Sequence, residues 1–367
     1  MSAFDYLIVG SGITGATLAY LLKKKGRSVM VVEKRPHVGG NVATETRDGI
    51  VLHTYGPHIF HTSDERAWNF FCEHADVYPF INSPLAFYQG KYYNMPFNLN
   101  TFEQLFGTAD VEEIKAIIAK EVAEAGIQTP RNLEEQAISM VGTTIYRVLV
   151  KGYTEKQWGR SARELPPDII KRLPLRFERN NNYFNDTYQG IPKGGYSVFI
   201  ENLLEDIPVW LQTDYLKKKE AYDTLADKVI YTGRLDEYFG FCFGALEWRS
   251  LRFETTLEPV DSFQPAPVVN FTDSEPAYTR ITEHKKFDPD CPNASSTIVS
   301  REYPDAFAEG KIPYYTVNDA RNSELAFRYF MRAKKEPNLI LAGRLATYRY
   351  LDMDDALIAA FNLAESL

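Results

Sequence analysis

Three glycines in the run Gly10-Ser11-Gly12-Ile13-Thr14-Gly15 follow an apolar stretch from Phe4 to Val9 and precede a helix pattern through Ala16, Leu18, Ala19, Leu21 and Leu22. A phosphate-binding turn requires this arrangement: Gly10 permits the tight turn, Gly12 lets the backbone approach a pyrophosphate, and Gly15 lets the helix pack closely on the strand. Ile13 and Thr14 open the helix, where unsatisfied N–H groups favour an anion. After the Lys23-Lys24-Lys25-Gly26 stop, a second strand from Ser28 to Val32 ends in Glu33, a carboxylate placed to accept from ribose hydroxyls and to repel a 2′-phosphate. Glycine-rich turns also join strands to helices without any ligand. Strand, loop, helix, strand and terminal acid together single out a dinucleotide, and Glu33 argues against NADP.

Other chemistries find less support. Gly56-Pro57-His58-Ile59-Phe60-His61 offers two histidines, but a metal site needs further ligands that the sequence does not advertise, so no metal is expected and His58 suits a place beside the cofactor. There is no GxSxG, and Cys72, Cys242 and Cys291 are far apart without CxxC spacing, which suits ordinary thiols in a reducing compartment. The chain carries 41 Lys plus Arg against 49 Asp plus Glu, a net charge of −8. Such a field repels nucleic acid and anionic membranes, so an anionic ligand must be met by a local cluster of arginines. The sequence enters its first strand without a signal pattern, and no apolar run reaches the roughly twenty residues of a membrane span, so the expected location is cytoplasmic.

The elements that must hold these residues read as an α/β fold. With 367 residues, 44% of them hydrophobic, the chain can bury a large core and two or three subdomains. A Rossmann-like domain is expected from separated segments, 1–80, 190–240 and 335–367. Lys228 to Tyr231 with Thr232-Gly233 supplies a third strand; Leu339 to Ala342, Gly343-Arg344 and a helix from Asp352 to Ala360 complete it. Residues 100–165 predict an inserted helical subdomain, with capping-box pairs Asp110/Glu113 and Asn132/Glu135, followed by a mobile loop at 166–178 punctuated by Pro166-Pro167 and Pro174. An inserted antiparallel β-sheet subdomain is expected from 81–99, 179–189 and 245–320, with strands at Ser250 to Thr255, Val268 to Thr272, Tyr278 to Glu283 and Thr297 to Ser300.

The second strand is followed by Glu33-Lys34-Arg35-Pro36-His37-Val38-Gly39-Gly40-Asn41 rather than by a crossover helix. That run resembles the segment which FAD-dependent, amine-oxidase-like proteins lay along their cofactor, which favours FAD over NAD. The likeness then extends over the chain, from Phe4 to about Ala360. It is carried by Lys151-Gly152-Tyr153-Thr154-Glu155-Lys156-Gln157-Trp158-Gly159-Arg160, Ile169 to Phe177, Asn181-Asn182-Tyr183-Phe184, Tyr278 to Lys285, Pro313-Tyr314-Tyr315 and Gly343 to Asp354. With these motifs the chain resembles the bacterial UDP-galactopyranose mutase family.

This resemblance implies a flavoenzyme, active with reduced FAD, that interconverts UDP-galactopyranose and UDP-galactofuranose for cell-surface glycans without net redox change. In that family flavin N5 attacks the anomeric carbon, UDP leaves, and a flavin iminium forms while the sugar ring opens and recloses. It implies that Arg172 and Arg280 clamp the diphosphate, that Tyr153 stacks on uracil beside Trp158, and that Tyr183, Tyr315 and Tyr350 direct hydroxyls at the phosphates, with Asn82 and Arg249 also at the substrate. A guanidinium fork suits paired charged hydrogen bonds to a diphosphate. For the cofactor it implies Gly10, Gly12, Ile13, Thr14, Gly15, Glu33, Lys34, Gly40, Asn41, His58, Ile59, Arg344, Tyr350, Leu351, Asp352 and Met353. His58 is also counted with the catalytic residues and bears on specificity, because relatives acting on UDP-N-acetylgalactosamine carry Arg there. The family further implies a homodimer. The chain departs from the family pattern at Thr316, where Pro is expected, and at Trp248, where Tyr is usual.

Overall fold

The computed structural model describes residues 2–170, 173–292 and 295–367. They form two compact units: one of Met1–Phe80, Asp186–Ser250 and Phe307–Leu367, the other of Ile81–Asn185 and Leu251–Ala306.

The first unit is built on a five-stranded sheet. Its order is Val209–Trp210, Val29–Val32, Phe4–Val9, Ala226–Tyr231, Leu339–Leu341, with neighbouring strands parallel. Parallel strands covered on both faces read as nearly continuous apolar runs, and the alternation divides them between two cores. Tyr6 and Ile8 pack with Leu18, Leu22, Phe71, Phe199, Leu357 and Phe361 on one face, whereas Leu7, Met30 and Val32 join Tyr215, Val229 and Tyr231 on the other. The first helix, Ile13–Lys24, packs against the last, Met353–Ser366, so the two ends of the chain meet at one Rossmann-like layer. A Cβ on Gly15 would lie 2.0 Å from the Gly10 carbonyl oxygen. We therefore expect Gly15→Ala to cost about 1–3 kcal/mol through forced backbone shifts, read as a lower denaturation midpoint of the cofactor-free protein. An unchanged midpoint would contradict the contact.

The second unit carries a sheet in the order 251–258 (the later part of the strand Trp248–Glu258), Thr297–Ala306, Arg280–Glu283, Val268–Phe271, Leu85–Tyr88, Lys91–Asn94. Its strands run antiparallel across Thr297–Ala306, Arg280–Glu283 and Val268–Phe271, but Val268–Phe271 meets Leu85–Tyr88 in parallel, since these two come from distant parts of the chain rather than a hairpin. Helices Leu99–Phe106, Val111–Ala125, Leu133–Ile145 and Gly152–Trp158 belong to the same unit. Ala86, Tyr93 and Phe97 from the sheet side share one core with Phe102, Ile114, Val141 and Leu149. The helical and sheet insertions are thus packed together, and the boundaries fall at Phe80, Asn185, Ser250 and Ala306.

Each expected capping box is half formed. Asp110 accepts from the Glu113 N–H at 2.8 Å, but the Glu113 carboxylate takes the Thr108 hydroxyl instead. Asn132 accepts from the Glu135 N–H at 2.9 Å, and Glu135 binds the Arg131 N–H. In both cases an upstream donor competes for the acid. Reciprocal boxes occur at Asn98/Thr101 and Asp352/Asp355. Among the described residues no helix is long and apolar enough to cross a membrane.

Candidate active site

The cradle of the first unit grows from the glycine turn. Gly10 has φ +103°, and a Cβ there would lie 2.2 Å from Thr232 Oγ1, whose hydroxyl donates to the Val9 carbonyl at 2.7 Å. A left-handed backbone with no room for a side chain accepts only glycine at reasonable cost. Gly12 is the N-cap of Ile13–Lys24, has no side-chain cap, and is followed by no acid in the first turn. Its helix N-terminus therefore keeps donors and positive potential for an anion.

The second glycine pair closes on the first. Gly39 N–H donates to Ser11 O at 3.0 Å, and Gly12 and Gly39 form a short parallel bridge. A Cβ on Gly40, at φ +56°, would sit 3.0 Å from Gly12 Cα. Buried Glu33 braces this loop: one carboxylate oxygen accepts from Ser11 N–H at 2.8 Å and Ser11 Oγ at 2.7 Å, the other from Arg35 N–H at 2.9 Å. The second oxygen retains acceptor capacity for a ribose hydroxyl. Bare glycine backbone, an uncapped helix start and an acid at the end of the second strand fit an adenine dinucleotide.

The other residues expected near the cofactor belong to the first unit. Asn41 accepts from Arg35 at 2.8 Å; Lys34 is largely exposed and pairs with Asp214 at 3.5 Å and Glu237 at 3.9 Å. His58 donates its backbone N–H to His53 Nδ1 at 3.2 Å, and Ile59 is buried. Gly343, at φ +76°, brings the C-terminal segment to Thr14, whose Oγ1 would lie 3.2 Å from an added Cβ. Arg344 donates to the Tyr314 carbonyl and stands over the Tyr350 ring at 5.3 Å, while Tyr350 stacks on Tyr315 at 6.2 Å. The Asp352 side chain caps Met353–Ser366, and Met353 packs against the core. Leu351 is half-buried. Asp354, in the first turn of the same helix, has its carboxyl pushed above the usual range by burial. Arg249 pairs with Tyr315 in register, and its carbonyl accepts from Tyr314 N–H at 2.9 Å.

The second unit gathers a different cluster. Arg280 begins its strand opposite Asn270 on one side and Glu302 on the other. Its Nε donates to Asn270 Oδ1 at 3.2 Å, a terminal nitrogen donates to the Tyr153 hydroxyl at 3.1 Å, and the other lies 3.7 Å from the Glu302 carboxylate. Glu302 is only 3% exposed. Partners on three sides fix the plane of the guanidinium, which is what bidentate recognition of a phosphate requires. Trp158 ends the Tyr153 helix and packs against the second unit's core. Asn82 and Tyr183 meet through a backbone hydrogen bond of 2.8 Å, leaving the Tyr183 ring exposed. Arg172 lies outside the described residues.

The path to Tyr153 is irregular. Gly142 breaks the Leu133–Ile145 helix at φ +80°, Glu121 accepts from the Thr144 N–H at 2.9 Å in place of a helical carbonyl, and a π-helical segment, Tyr146–Lys151, leads into Gly152–Trp158. Extra residues per turn re-aim the side chains that follow. Sequence reasoning missed Ser11, Asn270 and Glu302. Glu302 shares strand parity with Ile298 and Ser300, and that was the available signal, but the expected strand stopped at Ser300.

A Rossmann-like layer with this glycine cradle, in a chain that also presents a braced arginine and a tyrosine, defines a dinucleotide-dependent enzyme. Residues 148–350 match the sequence model described as UDP-galactopyranose mutase, and residues 8–74 match that of an NAD(P)-binding Rossmann-like domain. The chain is 38% identical to a probable UDP-galactopyranose mutase of Klebsiella pneumoniae, covering 100% of this chain and 95% of that protein. It is 36% identical to a dTDP-fucopyranose mutase of Escherichia coli, covering 98% and 97%. The fold matches a crystal structure of reduced UDP-galactopyranose mutase with TM-score 0.76 at 13% identity, over 100% of this chain and 94% of that one. The chain belongs to the UDP-galactopyranose mutase family and is an isomerase.

Proposed function

We propose that this enzyme interconverts UDP-galactopyranose and UDP-galactofuranose, with the anomeric carbon–UDP bond broken and remade in each turnover. The observation that carries the reading is the Arg280 guanidinium held by Asn270, Tyr153 and Glu302, in a chain whose other unit carries the dinucleotide cradle. When bound and reduced, FAD supplies a nucleophilic N5 for the anomeric carbon. The protein's part is to stabilise the departing diphosphate. Arg280, with Arg172, binds its oxygens and strengthens that hold as negative charge develops on them. Tyr153 steadies Arg280 through its hydroxyl and offers its ring to uracil, with Trp158, Asn82 and Tyr183 from the same unit at the nucleotide. Tyr315, Tyr350 and Arg249 of the first unit keep the substrate-binding role that the family likeness implies. His58, Arg344 and Asp352 keep theirs at the cofactor and sugar. Excluding water protects the electrophilic sugar carbon from hydrolysis. The same reading takes the protein to act as a cytoplasmic homodimer supplying galactofuranose for cell-surface glycans.

The test is a single anaerobic reduction of the flavin, removal of excess reductant, addition of UDP-galactofuranose, and a count of UDP-galactopyranose formed per flavin. Many turnovers per reduction are expected, and none with oxidised flavin. One turnover per reduction, or full activity in the oxidised form, would overturn the proposal. The E. coli relative gives a second reading: a nucleotide with a 5-methyl base and a 6-deoxy sugar. A kcat/KM for dTDP-fucopyranose exceeding that for UDP-galactopyranose would move the assignment to that substrate.

A further inference from the structure

Lys156 has no part in the function derived above, yet its surroundings are specific. It lies in the Gly152–Trp158 helix, and its ammonium donates to three backbone carbonyls: Phe271 at 2.9 Å, Pro276 at 3.0 Å and Tyr278 at 2.9 Å. Phe271 ends the strand Val268–Phe271, and Pro276 and Tyr278 lie in the connection from it to the strand Arg280–Glu283. An ammonium has three N–H donors, so every one is used. Burial pulls Lys156 down to about 8, opposed by Asp273 and Glu275 on the same connection. A half-buried cation is a costly way to fill space, and an apolar side chain would avoid the desolvation. What a lysine adds is the ability to hold three carbonyls at one point.

A second observation concerns the same two elements. Gly152 lies one helical turn before Lys156, and a Cβ there would sit 2.3 Å from the Thr272 carbonyl oxygen and 2.7 Å from Asp273 C. Helix and connection therefore touch backbone to backbone, with no side chain between them. Tyr153 follows Gly152 directly, and Arg280 follows Tyr278 by two residues. The hydrogen bond between Tyr153 and Arg280, 3.1 Å, thus joins the same helix and connection that Lys156 and Gly152 hold together.

We propose that Lys156 is a positioning residue for nucleotide-diphosphate binding: it gathers the Phe271, Pro276 and Tyr278 carbonyls, docks this connection on the Gly152–Trp158 helix, and so sets the Tyr153–Arg280 pair. This deepens the reading of Arg280 as a diphosphate clamp and rests on it. Lys156 touches neither substrate nor flavin in this account; its effect passes through Arg280.

The experiment measures UDP affinity of the FAD-loaded protein by titration, together with kcat and KM for UDP-galactofuranose, in wild type, Lys156→Met, Arg280→Ala and the double variant. Lys156→Met should keep the flavin spectrum and weaken UDP binding about tenfold, within the range of coupling between contacting residues. KM should rise more than kcat falls. In the Arg280→Ala background the same substitution should weaken UDP binding by less than about twofold, because the group it positions is gone. Its effect on the thermal midpoint should be the same in both backgrounds. Gly152→Ala, which forces the same two backbones apart, should reproduce the loss of UDP affinity, and Lys156→Arg should restore part of it. Should Lys156→Met fail to fold, Lys156→Gln, which keeps two N–H donors, carries the comparison.

Wild-type UDP affinity in Lys156→Met, or an equal further loss in the Arg280→Ala background, would overturn the inference. A wild type that binds UDP without interconverting the sugars would overturn the mutase reading alone and leave the affinity cycle to decide the role of Lys156. A wild type binding neither UDP nor dTDP would overturn both.

Discussion

Arg280→Ala is expected to lower kcat/KM by about 10²–10³-fold, the cost of removing one preorganised donor from a site of developing negative charge, while the bound flavin keeps its absorbance spectrum. The guanidinium is oriented before substrate arrives, by Asn270 at 3.2 Å and Tyr153 at 3.1 Å. Its interaction strengthens as the sugar–phosphate bond breaks, so the loss should fall on kcat as well as KM. Glu302 lies 3.7 Å away and would be left buried without its cation, so some loss of stability should accompany the kinetic effect. Arg280→Lys separates charge from geometry. A lysine supplies a point charge but cannot engage Asn270, Tyr153 and a phosphate from one rigid plane, and it should recover only a minor part of the rate. Steady-state kinetics of the reduced enzyme, with flavin content held equal, checks both variants. Near-wild-type kcat/KM in Arg280→Ala would remove this residue from the clamp.

Gly12→Asp is expected to yield a folded, colourless protein. A Cβ at Gly12 would lie 3.8 Å from Gly40 Cα, an ordinary contact, and the backbone there has a φ of −69° that any residue adopts. The protein itself therefore has room for the new side chain. The cofactor does not, because the added carboxylate would stand where backbone and pyrophosphate should meet, and juxtaposed like charges cost several kcal/mol. That is a loss of FAD affinity of at least about 100-fold at 1.4 kcal/mol per decade. Gly15→Ala is the contrasting case, since there the 2.0 Å conflict is internal to the protein. The ratio of flavin to protein absorbance, together with a circular dichroism melt, distinguishes the two. A yellow Gly12→Asp variant would place the pyrophosphate elsewhere.

How much of this was readable in advance differs from one part of the chain to another. The sequence by itself determined the main devices of the dinucleotide cradle, because these are local, whereas the approach of Thr232 and Gly343 came from the tertiary structure. Gly10, Gly12 and Gly15 occupy one turn, Glu33 closes the next strand, and parallel strands buried on both faces announce themselves as apolar runs. The FAD assignment and the family followed from motifs equally continuous in the chain. Only the tertiary structure decided what surrounds the arginine. Asn270, Arg280 and Glu302 become neighbours through strand register, and Tyr153 reaches them after a glycine break and a π-helical segment that no periodicity of 3.6 anticipates. The capping acids show the same limit on a smaller scale. Asp110 and Asn132 cap their helices as their spacing predicts, but Glu113 and Glu135 turn to Thr108 and Arg131, donors that only the folded turn brings near. Lys156 is the clearest case: its partners are three backbone carbonyls more than a hundred residues away, and a carbonyl has no side-chain identity for a sequence to display.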